Sequence, residues 1–453
     1  MLYYGFPMEF EVALMKSKNL VREVLRISWP MIISELGDSL YSIIDTYFVS
    51  KLGTVALAGV GVGSYLSWLF FVVVLLFTIG LLIYVAQGYG AKNFTQARKA
   101  IGGTLLYSII IISPISLIAY YNAKCVVGVI AGPNLEVVDT SAVYFSTRIL
   151  GLPLLAAAMS MDSSLRAIGA TKYSMIAVLS SIFLNIILDP VFIFGLFGFP
   201  KMGVKGAALA TVLSVAYLVP LEYVFLKRVG LTPIFNLRRE YIIKILRLSV
   251  PTSIERAVFA IGNNAYIAFI ARCGEAALAA HQIGVRVESF IYMPGFAFMV
   301  AASSLVGQRI GSGNINEAKK IGWEATKVAL ILMTLLGIVA AVLSRYLVAP
   351  FSPSEEVASL ASIYLILAGL SEPGLALAMT LSGSIRGGGN TLVPLIINAG
   401  GLYLFRVIPA AIMVKAFGVI GAWIAMFLDV YLRGAIFVYT YKRSFTSLVK
   451  KVI

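Results

Sequence analysis

The chain has 453 residues, of which 60% are hydrophobic and 13% are charged, and its formal net charge is +15. Soluble domains carry roughly 25% charged residues, so the composition excludes an ordinary soluble enzyme and indicates a protein that lies in a lipid bilayer. The basic surplus alone would suit nucleic-acid binding, but the basic residues gather between apolar segments, which argues against a nucleic-acid partner.

Apolar segments of about 20 residues recur along the whole chain, and that length is needed to cross a bilayer as a helix. The pattern predicts an all-α polytopic membrane protein with about twelve transmembrane helices. The predicted spans are 28–50, 62–88, 103–122, 139–165, 172–197, 203–227, 247–272, 283–307, 323–345, 358–384, 391–414 and 418–441.

The first predicted helix matches the seventh when the sequence is shifted by 221 positions. Pro30 then falls on Pro251 and Asn93 on Asn314. An internal repeat in a hydrophobic chain is typical of transporters whose two pseudo-symmetric halves line one pathway. The predicted six-helix lobes are 1–229 (N-lobe) and 247–453 (C-lobe), joined by a cytoplasmic linker over 230–246.

The second part of each half repeats more loosely. The segment that begins at Arg166 resembles the one that begins at Arg386, and the segment that begins at Gly203 resembles the one at Gly418. Because six spans per repeat is an even number, both halves enter the membrane from the same side, as in parallel repeats.

Basic residues gather in alternate intervals between the predicted spans. An asymmetry of this kind sets the orientation of a membrane protein and predicts that both termini are cytoplasmic, in a multi-pass protein of the cell membrane. The basic set includes Lys16, Lys18, Arg22, Arg26, Lys92, Arg98, Lys99, Arg166, Lys172, Arg238, Arg239, Arg309, Lys319, Arg386, Lys450 and Lys451.

Charged residues inside the predicted spans of the first half are the candidates for function, because an ionisable group at membrane depth is costly and faces a cavity or a partner. Glu35, Asp38 and Asp45 form a polar stripe on the first helix at about 100° per residue. Asn185 and Asp189 are four residues apart and share one face of the fifth helix. These carboxylates suit either proton uptake or the binding of a cation such as sodium at Asp45 and Asp189.

The second half carries different polar groups. Asp45 shifted by 221 positions becomes Tyr266, and Asp189 has no acidic counterpart in the eleventh helix. The candidates for a substrate site or a second ion site are Glu255, Asn263, Glu288 and Glu372. This asymmetry favours ion coupling in the first half and substrate binding in the second.

Prolines inside the spans predict places where a helix can bend, since each removes one backbone hydrogen bond. Pro30 and Pro251 occupy equivalent positions in the two halves, and Pro190 directly follows Asp189. We expect these three residues to act as hinges.

The chain contains no HExxH, G-x-S-x-G or Walker motif. Its one histidine and two cysteines cannot form a conventional zinc or haem site. We therefore expect no enzyme activity and no cofactor, and we expect an ion gradient or a partner subunit to supply energy.

Several segments resemble the multidrug and toxic compound extrusion (MATE) family. The run from Leu40 to Gly53, the segment Ala279–Gly284 and the segment Met293–Phe296 are similar to family motifs. Asn185 with Asp189 and Pro190 is similar to the arrangement in the archaeal and DinF-like branch.

The resemblance implies a two-lobed antiporter, functional as a monomer, that exports amphiphilic or cationic compounds against an inward flow of protons or sodium ions. It assigns ion coupling to Asp45 and Asp189, with Asn185, Tyr144 and Thr211 completing their network. It also implies cation binding at Glu255, whereas Glu372 lies about one turn from the family's acidic position in the tenth helix.

Two alternatives stay open at this point. A lipid-linked oligosaccharide flippase shares the broader superfamily scaffold, but it should have a basic cavity, and the embedded charges noted above are mostly acidic. A membrane-embedded enzyme would need paired metal-binding aspartates or a nucleophile with its base, and the sequence offers neither set.

Overall fold

The structure, a computed structural model, describes residues 20–132 and 134–453. Lys16 and Lys18 of the predicted basic set lie outside these residues. Six of the long helices, numbered as they follow along the chain, come from the first half. They are α1 (Leu20–Ser50), α2 (Thr54–Gly90), α3 (Phe94–Tyr121), α4 (Leu135–Leu150 with Leu152–Ala167), α5 (Thr171–Phe194) and α6 (Val204–Arg228).

The second half supplies six more helices within the described residues. They are α7 (Arg239–Ala271), α8 (Glu275–Gly311), α9 (Ile315–Val342), α10 (Glu355–Gly387), α11 (392–417) and α12 (419–448), the last two forming the stretch Leu392–Leu448 that breaks at Gly418. The short helices Ala123–Gly128 and Ser344–Val348 lie between longer ones. Each predicted span overlaps one of these twelve helices.

Most of these helices are long and apolar enough to cross a membrane. Eight stretches of the described chain meet that description by length and composition, with Leu392–Leu448 counted once, and α4 makes nine if its two segments, bent by 48°, form one span. The helices α1 and α7 fall outside this group, and each carries six charged residues. Several candidate site residues lie on these two helices: Glu35, Asp38 and Asp45 on α1, and Glu255 and Asn263 on α7.

Contacts divide the described chain into two compact units. The N-unit consists of Ile33–Gly88 and Asn93–Ser253, and the C-unit consists of 20–32, 89–92 and Ile254–Ile453. The predicted linker is irregular over 231–238, and α7 begins at Arg239. The predicted lobe boundaries themselves stay a prediction.

The internal repeat extends to backbone geometry. Gly53 and Gly274 precede helices of the two halves with φ angles of 102° and 113°. Gly203 and Gly418 share a conformation with φ near 56° and 58° and strongly negative ψ, a region that only glycine adopts without strain. The loosely matched segments of the sequence therefore fold alike.

Helix starts repeat as well. The Asn93 side chain accepts a hydrogen bond from the Gln96 N–H over 3.2 Å at the start of α3. The Asn314 side chain accepts one from the Glu317 N–H over 3.1 Å at the start of α9. Each asparagine satisfies a backbone donor that has no partner inside the helix.

Close helix packing in the C-unit depends on small residues. A Cβ at Gly337 of α9 would lie 2.2 Å from the Gly369 carbonyl oxygen of α10, and the reverse distance is 2.4 Å. Glycine at both positions lets the two backbones approach, as is typical of membrane helices. Glu372 is thereby pressed against α9.

The three proposed hinge prolines lie inside continuous helices. Pro30 is in α1, Pro251 in α7 and Pro190 in α5. Each removes one N–H from its helix ladder, and their role as hinges stays a prediction.

Candidate functional site

Asp189 lies in the interior of the N-unit with none of its surface exposed. Asn185 precedes it by one turn of α5 and is also buried. With its amide oriented to satisfy both neighbours, Asn185 Nδ2 donates to Asp189 Oδ2 over 2.8 Å, and its oxygen accepts from the Thr211 N–H over 3.1 Å. The sequence spacing thus produces a direct contact between two predicted site residues, and Thr211 joins them through its backbone.

Thr211 also connects α6 with α1. Its hydroxyl lies 3.3 Å from the Tyr41 hydroxyl and donates to the Ala207 carbonyl oxygen of its own helix over 3.1 Å. Tyr41 is one turn before Asp45 on α1 and interacts electrostatically with it. Tyr41 therefore joins α1 to Thr211 of α6, and Thr211 in turn contacts Asn185 of α5. The sequence analysis missed this role of Tyr41.

Tyr144 and Arg148 of α4 complete this group. The Ser64 hydroxyl donates to the Tyr144 hydroxyl over 3.2 Å, and the Arg148 guanidinium lies 5.9 Å from the centre of the Tyr144 ring. Arg148 is within Coulombic range of both Asp45 and Asp189, and these two carboxylates are within range of each other. We call Tyr41, Asp45, Tyr144, Arg148, Asn185, Asp189 and Thr211 the N-unit cluster.

Two carboxylate oxygens of the N-unit cluster are buried without a hydrogen-bond partner in the described part of the chain. They are Asp45 Oδ1 and Asp189 Oδ1. Burying a charged acceptor without a partner is costly. The arrangement can therefore accept a proton or a small cation, and Arg148 compensates only one of the two carboxylates.

Glu35 and Asp38 belong to a different polar group. Arg166 of α4 binds Asp162 over 2.6 Å and lies 3.5 Å from Glu35, and Asp38 is within Coulombic range of Glu35 and Arg166. Glu222 of α6, which is buried, faces the same group. The polar stripe predicted on α1 is thus shared between two clusters, and Glu35 and Asp38 do not join Asp45.

The C-unit contains a cavity of about 340 Å³, near the lower end of the range for small-molecule sites. The predicted residues Glu255, Asn263 and Glu288 all line it. The other charged residues that line this C-unit cavity are arginines: Arg256, Arg386, Arg406 and Arg433.

Glu255 is held by two partners. Arg386 Nη2 donates to Glu255 Oε1 over 2.7 Å, and Asn398 Nδ2 donates to the same oxygen over 2.8 Å. The Asn398 oxygen in turn accepts from Arg433 over 3.4 Å. Glu255 therefore pairs with residues of other helices.

Asp429 of α12 is fully buried and binds two arginines. Arg433 contacts both of its oxygens over 2.6 and 2.7 Å, and Arg406 Nε donates to Oδ2 over 2.9 Å. Arg406 lies in a π-helical turn over Leu402–Val407, a distortion common at functional sites. Neither arginine was among the candidates of the sequence analysis.

Glu288 and Glu372 have different surroundings. The Tyr364 hydroxyl donates to Glu288 Oε2 over 2.5 Å. Glu372 is fully buried, and neither of its oxygens has a hydrogen-bond partner among the described residues. A carboxyl group in that setting is best buried in its neutral form. Glu372 does not line the cavity.

Three residues of the basic set, which the predicted spans place just after a helix, lie in the last turn of a helix instead, so the predicted helix ends were wrong there. Arg166 pairs with Asp162, Arg386 with Glu255, and Arg309 with the buried Glu23 over 2.6 Å. Their positive charge neutralises helix carboxylates. The premise that embedded charges are mostly acidic was also wrong for the C-unit, where four arginines line the cavity.

One ion pair of the first half corresponds to an ion pair of the second half. Glu35 with Arg166 and Glu255 with Arg386 each join residues 131 positions apart. The first pair lies in the N-unit and the second in the C-unit. The repeat thus preserves a contact between the first and fourth helices of each half, although the shift is 220 and not 221 positions.

Comparisons with known proteins agree with this architecture. The MatE family model matches residues 30–191 and 251–412, two stretches related by the same 221-position shift as the repeat. A solved structure of a multidrug resistance MATE family transporter in an outward-facing conformation has a TM-score of 0.89 at 22% identity and covers 96% of this chain and 98% of its own. The fold is therefore all-α and polytopic, with about twelve transmembrane helices in two pseudo-symmetric six-helix lobes.

Two relatives match nearly the whole chain. A probable multidrug resistance protein NorM of Thermotoga maritima is 32% identical over 427 residues, 92% of this chain and 90% of that protein. The FAD transporter of Shewanella oneidensis is 26% identical over 413 residues, 89% of this chain and 90% of that protein. Two family matches that cover most of the sequence, a shared fold and these relatives establish that the chain belongs to the MatE family of multidrug and toxic compound extrusion transporters.

Proposed function

We propose that the chain is a cation-coupled antiporter that exports small amphiphilic compounds from the cell. The observation that supports this most strongly is the N-unit cluster, in which Asp45 and Asp189 each keep one buried oxygen that has no hydrogen-bond partner among the described residues. Intramembrane carboxylates of this kind mark ion and proton pathways. Asn185, Thr211 and Tyr144 supply neutral oxygens and amide groups around them.

Charge balance defines how the cluster would work. Arg148 compensates one carboxylate, so a single proton or sodium ion compensates the other. Binding of that cation from outside would favour the inward-facing state, and its release inside would accompany the return. Alternating access by motion of the two lobes about the pathway is the expected cycle for this architecture.

Membership of this family supports the export of small organic molecules. The proposed location is the cell membrane, with both termini cytoplasmic. The named relatives include a probable multidrug resistance protein and an FAD transporter, so chemically different substrates are compatible with the scaffold. The arginine-lined C-unit cavity meets the requirement set above for a lipid-linked oligosaccharide flippase. Its volume of about 340 Å³ suits one compact molecule better than a lipid-linked sugar chain.

The test is transport by purified protein in proteoliposomes, with proton and sodium gradients imposed separately. We expect Asp189→Asn and Asp45→Asn each to abolish gradient-driven export while the protein still inserts and folds. The gradient that drives the unmodified protein identifies the coupling ion.

A matched control is Asp139→Asn, because Asp139 is an exposed acid of the same unit and pairs with Lys124 at the surface. This variant should transport normally. Undiminished gradient-driven export by both Asp45→Asn and Asp189→Asn would remove the proposed coupling site.

A further inference from the structure

The guanidinium of Arg406 presents donors to the C-unit cavity. Its Nε is fixed on Asp429 over 2.9 Å, while its two Nη atoms have no hydrogen-bond partner among the described residues. They are not among the buried unpartnered atoms, so they face the open space of the cavity that Arg406 lines. A guanidinium in this position offers the planar pair of N–H groups that binds carboxylate, sulfonate or phosphate.

The orientation of this group is fixed from several sides. The π-helical turn Leu402–Val407 directs Arg406 toward α12, Asp429 anchors Nε, and the Tyr266 ring centre lies 5.7 Å from the guanidinium carbon. A side chain held in this way loses little further freedom when it binds a ligand.

Asp429 cannot neutralise both of its partners. Arg433 occupies both carboxylate oxygens and Arg406 shares one of them, so the three groups together carry one positive charge. The three side chains are largely buried, and a charge-assisted hydrogen bond is stronger in such surroundings than at a surface.

The rest of the cavity wall is largely apolar. Phe259, Phe296, Leu375, Met299 and Met379 line it, and flexible methionines adapt to varied shapes. Glu288 is an acidic residue of the wall that interacts electrostatically with Arg406. It already accepts a hydrogen bond from the Tyr364 hydroxyl. The cavity thus combines apolar wall residues with the guanidinium of Arg406, whose Nη atoms face it.

We propose that the C-unit cavity binds amphiphilic compounds that carry an anionic head group, with that group held by Arg406. This assigns a substrate class within the proposed export function, and it concerns binding, which can be measured without any gradient. The N-unit cluster handles the coupling cation, so the two opposite charges would use separate units of the chain.

The experiment uses full-length purified protein and two probes that share one ring system. Naphthalene sulfonate carries a negative head and naphthyltrimethylammonium a positive one, and isothermal titration calorimetry measures the binding of each. We expect the sulfonate to bind about tenfold more tightly, the difference that one charge-assisted contact provides. Equal affinities, or a preference for the ammonium probe, would overturn the proposal.

Two variants, one that loses a positive charge and one that loses a negative charge, test whether the sulfonate binds in this cavity. Arg406→Gln leaves Asp429 paired with Arg433, so no carboxylate is stranded, and it should weaken sulfonate binding about tenfold. Glu288→Gln removes a negative charge from the wall and should strengthen sulfonate binding severalfold. Arg443→Gln, a change of the exposed Arg443 beside the Tyr439 ring, should leave the affinity unchanged.

Sulfonate binding that is insensitive to both Arg406→Gln and Glu288→Gln would contradict the assignment. If Arg406→Gln does not fold, the opposite shift expected for Glu288→Gln still decides the question. Gradient-driven export of the ammonium probe without sulfonate binding would refute anion recognition while the proposed function stands. Sulfonate binding with no gradient-driven export of either probe would refute the proposed function and leave anion recognition intact.

Discussion

Tyr364 shows how one hydroxyl can stabilise a carboxylate inside the membrane. It is buried to 1% exposure and donates to Glu288 Oε2 over 2.5 Å. Tyr364→Phe would leave this acceptor without its donor, and losing a hydrogen bond to a buried polar group costs about 1–3 kcal/mol. We expect a lower thermal unfolding midpoint for this variant in detergent.

Tyr431→Phe is the matched control for this change. The Tyr431 hydroxyl also donates one hydrogen bond, to the Leu370 carbonyl oxygen over 2.8 Å, but its side chain is 37% exposed. Its acceptor is a neutral carbonyl oxygen and not a carboxylate, and hydrogen bonds to charged groups contribute about twice as much, so its loss should cost clearly less. Equal losses of stability in the two variants would show that the Glu288 contact has no special weight.

Individual residues also show what one sequence can and cannot predict. The spacing of Asn185 and Asp189 predicted their contact, because residues four apart share a helix face. The partners of Glu255, Arg148 and Asp429 were not predictable in this way, since a periodic pattern does not tell which residue of another helix faces a buried charge. Arg148, Arg406 and Arg433 lie inside predicted spans and were a visible signal, and they were overlooked.

At the scale of single elements, Gly418 decides whether the chain forms one long helix or two. Its φ of 58° and ψ of −148° lie where a side chain is strained by about 1–3 kcal/mol. Gly418→Ala should therefore destabilise the protein by that amount, as measured by thermal or denaturant unfolding in detergent.

Gly400→Ala in α11 provides the comparison. Gly400 is helical, and a Cβ there meets nothing within 4 Å. Alanine favours a helix over glycine by about 1 kcal/mol, so this variant should be neutral or slightly more stable. A stable Gly418→Ala variant would mean that the break between α11 and α12 can adopt another backbone conformation.

At the scale of the whole molecule, the cysteines report orientation. Cys125 is exposed in the segment between α3 and α4, which lies outside the cell if both termini are cytoplasmic. A membrane-impermeant maleimide should therefore label Cys125 in intact cells.

The control for this labelling combines Cys125→Ser with Lys450→Cys, which places a thiol near the C-terminus. Labelling of that variant should require permeabilised cells, apart from any signal from Cys273, which lies in the predicted outer turn between α7 and α8. Labelling of Cys125 only after permeabilisation would reverse the proposed orientation.

The overall architecture was more predictable than the site. Apolar length and the repeat sufficed for twelve helices in two halves, since both depend on local composition. Helix ends were less accurate: α7 begins at Arg239 and not at 247, because polar residues at a membrane surface continue a helix beyond its apolar part. The distribution of basic residues did not predict that Arg166, Arg309 and Arg386 form ion pairs with carboxylates of helices.

The π-helical turn Leu402–Val407 has a consequence for how this region can vary in length. Deleting one residue within it would allow regular α winding and keep the flanking helix in register, but residues of the turn itself, Arg406 among them, would change direction. Arg406 would then point away from Asp429, and a buried acid would lose one of its two counter-charges. Substitutions in this turn are therefore better tolerated than insertions or deletions, and relatives that keep the arginine should also keep the spacing of 23 residues between Arg406 and Asp429.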